Sequence, residues 1–171
     1  MRTVLLVAAA LVLMSAAVLA STQITLHGRA RQIAVTLHSL AFVLGFGAVL
    51  SVMFCGLRVT LGNLQFLEAA KTAVTIDPGI WLGFMLMVIT GAFLRPDLSS
   101  PWMLTKLLLA LISCVNGILA LPSMQSLLTL PPQGGLEVVP TPLRLQLLVQ
   151  TAISQASWWT MAGISYIELR S

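Results

Sequence analysis

The chain has 171 residues, 58% of them hydrophobic and only 8% charged, against about a quarter charged in soluble domains. A soluble domain of this size could not hide that much apolar surface, so the solvent is lipid. The net charge of +4 is spread over several loops without a run, which gives no support to nucleic-acid binding and fits loop charge beside anionic headgroups.

The first segment, Thr3 to Ala20, carries no charge and is preceded only by Arg2. It ends Val18-Leu19-Ala20-Ser21, with small residues where a signal peptidase cuts. Its apolar run exceeds the roughly 7–15 residues of a signal core, so a retained first helix is the expectation, with a cleaved signal peptide as the alternative. A polar link with His27, Arg29 and Arg31 follows. The second span runs from about Val35 to Leu57, and Arg58 ends it.

Arg58 to Ile76 reads as a partly helical loop. Leu64, Leu67 and Val74 recur at helical spacing, and Glu68 and Lys71 form an i,i+3 pair. An interfacial amphipathic helix or an extension of the second span fits. Asp77-Pro78, Ser100-Pro101 and Thr141-Pro142 each place a capping side chain before a proline that has no N–H to lose at the first helical position. The third span is then about Pro78 to Leu94, a rise of about 25 Å. The fourth is Pro101 to Leu121, stopped by Pro122, and the fifth is Pro142 to about Ile167. Pro131-Pro132 and Gly134-Gly135 make the connection between them irregular. The expected fold is all-α: one polytopic transmembrane bundle of five helices, or four after cleavage.

One end of the bundle carries Arg2, Arg58, Lys71 and Arg144; the other carries Arg29, Arg31, Arg95, Lys106 and Arg170. The positive-inside rule prefers the second set, and with it the C-terminus, in the cytoplasm. Cleavage of the first segment would reverse the assignment.

His38, Ala41, Gly45, Ala48, Val52 and Cys55 follow one another at spacings of three or four, a seam of mostly small residues along one face. Lys106, Ala110, Ser113, Gly117 and Ala120 repeat the pattern in the fourth span, and Gly79 and Gly83 make a shorter one in the third. Lipid provides no hydrophobic drive between helices, so close approach over small residues supplies the packing. Cys55 and Cys114 read as small apolar packing residues.

Alternating helix direction puts His38, Lys106 and Glu168 at the same end of the bundle. They form either a partly desolvated pocket for an anionic group or a proton, or three side chains reaching interfacial water. Gln146, Gln150, Ser154 and Ser157 form a polar stripe on the fifth span, and Asn116 lies midway along the fourth. Such groups face inward and hydrogen-bond across helices or line a path. Trp81, Trp102, Trp158, Trp159 and Tyr166 fall towards span ends, where aromatic belts form.

No catalytic motif, phosphate-binding loop or metal-ligand cluster stands out. Met85 and Met87 point to different helix faces, and His27 lies in a loop, so no metal or cofactor is expected. Three functions remain. One is a non-enzymatic membrane protein that binds or passes a small solute through the inward polar residues. Another is a structural partner in a membrane complex, or in self-association, acting through the seams. The third is a redox protein with haem, copper or quinone.

Leu37-His38 followed by Phe42, Gly45 and Gly47 resembles the first helix of an uncharacterised family of small bacterial multi-span inner-membrane proteins. The stretches SPWMLTKLLLALISCVNGILALP and SQASWWTMAGI resemble the same group, so the likeness covers about residues 35 to 167. It implies a bacterial inner-membrane location. Met53 stands where that pattern leads one to expect an acidic residue, which weakens a proton- or cation-coupled role carried over from the resemblance.

Overall fold

The structure is a computed structural model that describes residues 2–130, 138–168 and 170. Five helices follow one another: α1 (Arg2–Gln23), α2 (Gly28–Thr60), α3 (Phe66–Phe93), α4 (Pro101–Leu128) and α5 (Thr141–Glu168). No strand occurs among the described residues. The Pro131-Pro132 and Gly134-Gly135 connection lies outside them.

Four helices, α1 to α4, are long and apolar enough to cross a membrane. At 33 residues, α2 extends about 50 Å, well beyond a hydrocarbon core of about 30 Å. The outer faces confirm the solvent: Leu5, Val12, Leu40, Val43, Leu82 and Leu108 are all exposed. As long as α3 and α4, α5 is more polar. Leu145, Leu148, Ile153 and Ile167 are among its exposed residues, while Ser157, Trp158, Met161 and Ile164 are buried. Apolar side chains thus occupy both its outer and its inner faces, which suits a lipid surround better than water.

The helices pair as two hairpins, α2 with α3 and α4 with α5, and α1 lies against α3 and α4. At the centre, Trp158 of α5 is 2% exposed and packs with Phe42 and Phe46 of α2 at ring-centroid separations of 6.1 and 6.0 Å. The expected belt is therefore corrected at two positions. Trp158 is core, and Trp81 faces Phe84 inside the bundle; Trp102, Trp159 and Tyr166 are exposed.

Two prolines do not bound helices as the sequence suggests. Pro78 lies inside α3, which starts twelve positions earlier at Phe66. Proline in a helix removes one intrahelical hydrogen bond, so packing must sustain the extension. It does: Ala69, Ala70 and Ala73 are buried, and Ala70 joins Leu127 and Val139 in a small cluster closing that end of the bundle. The Arg58–Ile76 stretch thus belongs mainly to the third helix, not to the second. Pro122 likewise lies within α4, which continues to Leu128 with Ser123 and Leu127 buried.

Ser100 does cap α4. Its hydroxyl accepts from the Met103 N–H at 3.5 Å, with Pro101 at the first helical position. Ser100→Ala should cost about 0.5–1 kcal/mol, the lower part of the capping range because the bond is long. Thermal unfolding in detergent measures it, and an unchanged melting temperature would assign the helix start to Pro101 alone.

Candidate functional site

Helix direction brings the C-terminal ends of α1, α3 and α5 together with the N-terminal ends of α2 and α4. A cavity of about 280 Å³ opens there, and both His38 and Lys106 line it. Its other walls are mostly apolar, with Met14, Phe42, Met87 and Met161 among them, and Ser21 and Ser165 add hydroxyls.

His38 is oriented by its neighbour. Its Nδ1 lies 3.0 Å from the Thr90 hydroxyl, and that hydroxyl donates to the Leu86 carbonyl. Having spent its proton, Thr90 Oγ1 accepts, so Nδ1 carries the hydrogen and Nε2 is the basic ring nitrogen. Gly91 makes room: a methyl there would sit 3.3 Å from His38 Cε1. Lys106 pairs with Glu168 of α5, their side chains 20% and 32% exposed. His38 and Lys106 thus share a cavity, and Glu168 reaches it through Lys106.

The pair alters the electrostatics expected from the sequence. Glu168 neutralises Lys106, so the pocket has no uncompensated positive charge when His38 is neutral. Hydrogen bonding, more than charge, is what it offers a ligand. Around its rim, Arg95 holds a left-handed backbone (φ 51°) and donates to the Thr25 hydroxyl at 3.2 Å. Asp97 accepts from the Ser99 hydroxyl and N–H, which hold its carboxyl below the usual carboxylate range. That turn is fully supported above the ordinary carboxylate range and loosens as pH falls through the lowered value of Asp97.

The small-residue seams are occupied from within the chain. Ala41 is 2% exposed, Gly45 faces Gly83, and Gly79 faces Ala48. A methyl at Gly117 would meet Trp81 at 3.1 Å. Ala48, Ala110 and Ser113 are half-buried beside them.

The polar stripe divides. Asn116 is buried and donates to the Gln150 backbone carbonyl at 2.8 Å, while the Gln150 side chain donates to the Leu119 carbonyl at 3.1 Å. Ser154 is half-buried and Ser157 buried. Gln146 is exposed, a correction to the inward reading: it lies within two turns of the start of α5, near the end of the bundle. Asn116, Gln150 and Ser154 line a second, smaller cavity of about 150 Å³ between α2, α3, α4 and α5.

Sequence reading missed Thr90, Gln155 and Asp77. Thr90 and Gln155 had no motif to mark them, although Thr90 lies in the same apolar run as Gly83. Asp77 was placed at a helix start because of Pro78; with the helix running through, it lines the smaller cavity beside the Trp81 indole.

This arrangement defines an integral membrane protein built as an all-α bundle. Comparison with protein-family models, curated proteins and solved structures finds no match.

Proposed function

We propose that this protein binds a small neutral amphiphile from the bilayer in the His38–Lys106 cavity, without catalysing a reaction. The observation that carries the reading is one cavity of about 280 Å³ whose walls are mostly apolar and whose polar tips include an oriented imidazole and a charge-neutralised lysine. An apolar body matches the walls. A hydroxyl head can donate to His38 Nε2, and a carbonyl can accept from Lys106. A carboxylate is less favoured, because Glu168 already occupies the lysine's charge. The resemblance over residues 35 to 167 supports a bacterial inner membrane as its location.

Native mass spectrometry of the detergent-purified protein tests this with a short-tailed benzoquinone, a medium-chain alcohol and the carboxylate of equal length. The quinone and alcohol should bind more tightly than the carboxylate. His38→Ala should weaken the alcohol about tenfold, the loss of one buried hydrogen bond. Gln146→Ala, on the exposed face, should change nothing. Undiminished binding in both His38→Ala and Lys106→Ala would refute the site.

A further inference from the structure

The smaller cavity has a different chemistry. Asp77, Asn116 and Gln155 sit near the middle of α3, α4 and α5, and all three line it. Two glutamines are fixed in direction by backbone carbonyls. Gln150 Nε2 donates to Leu119 and Gln155 Nε2 donates to Val49, at 3.1 and 3.4 Å. A carbonyl can only accept, so each amide nitrogen must point at it and each amide oxygen must point away. Those two oxygens and Ser113 Oγ are buried with no hydrogen-bond partner among the described residues.

The half-buried Asp77 carboxyl lies beside the Trp81 indole, one helical turn on. No ion pair to it is found among the described residues, and the cavity lining contains no lysine, arginine or histidine. Leaving a buried polar atom unpartnered is unfavourable, and a charged one more so. A largely apolar chamber that holds these oxygen acceptors, with one carboxylate and no cation in its lining, is suited to a positive guest. One carboxylate with neutral oxygens suits a single charge; divalent ions gather several carboxylates or keep much of their water.

We propose that the Asp77 chamber binds a small monovalent cation, with Asp77 supplying the charge and the Gln150, Gln155 and Ser113 oxygens completing the shell. The site shares no polar residue with the amphiphile cavity and does not rest on that reading. Sodium, potassium and ammonium present the same chemistry to these oxygens, since each is satisfied by a ring of acceptors.

The test is thermal unfolding of the full chain in detergent, with sodium, potassium or ammonium chloride exchanged for N-methylglucamine chloride at constant ionic strength. At least one small cation should raise the melting temperature saturably. The rise should vanish in Asp77→Asn and persist in Glu68→Gln, which removes an exposed carboxylate from the same helix. Gln155→Leu should shift the half-saturating concentration about tenfold upward, and it carries the test alone if Asp77→Asn does not fold. No cation-specific rise would mean that the chamber holds only water and overturns the proposal. An equal rise in Asp77→Asn, or an unshifted half-saturation in Gln155→Leu, overturns it as well.

Discussion

Gly83→Ala is expected to lower the melting temperature by about 5–10 °C, whereas Gly47→Ala should leave it unchanged or raise it slightly. Both glycines lie inside helices, so alanine offers each the same gain in helix propensity, up to about 1 kcal/mol. They differ in what the new methyl meets. At Gly47 nothing lies within 4 Å. At Gly83 the methyl would fall 2.5 Å from Gly45 Cα and 2.8 Å from the Ala41 carbonyl oxygen, and would also crowd the Gly45 nitrogen. These are backbone atoms of α2 and cannot rotate away, so α2 and α3 must separate. Overpacking of that kind costs about 1–3 kcal/mol, at about 2–4 °C per kcal/mol for a chain of this length. Unfolding of both variants in one detergent decides the matter. Equal melting temperatures would show that the two helices do not cross at Gly45 and Gly83.

The second large effect is at the mouth of the cavity. Glu168→Ala should destabilise the protein by about 2–3 kcal/mol, and the double variant with Lys106→Ala should cost no more than Glu168→Ala alone. Removing Glu168 strands the Lys106 charge, which lies largely out of water; removing both leaves no lysine to strand. Fully buried pairs lose about 3–5 kcal/mol when broken, and the partial exposure of these side chains places the value below that range. A double-mutant cycle on unfolding free energies reads the coupling directly. Additive losses would mean that the two charges act separately and reach interfacial water on their own.

The sequence disclosed packing better than chemistry, for a physical reason. A seam such as Ala41, Gly45 and Ala48 shows itself through spacing, because backbones can approach only over small side chains. Helix direction is equally readable, and it alone places His38, Lys106 and Glu168 at one end. Asp77 was obscured because Asp-Pro carries a strong local signal for a helix start, and only the burial of Ala69, Ala70 and Ala73 overrides it. Trp158 was misplaced for a related reason: a tryptophan near polar residues suits an interface, and nothing local reveals that Phe42 and Phe46 enclose it. The meaning of Lys106 depends on Glu168, far away in the chain, and a contact of that kind has no signature in spacing.

The amide in the middle of α5 bears on how the protein is made. Many outward side chains of α5 suit lipid, but the Gln150 side-chain amide donates to a carbonyl of α4, at Leu119. Released from the translocon alone, α5 would carry that amide bare into hydrocarbon. It should therefore leave the insertion machinery joined to α4 as a preformed hairpin, and α4 acts as its chaperone during synthesis. With Gln150→Leu, α5 should consequently integrate even in a chain whose α4 is deleted, whereas the parent α5 should then stay outside the bilayer, which glycosylation mapping or protease protection of the C-terminus would reveal. Equal integration of the two without α4 would mean that α5 enters on its own apolar face.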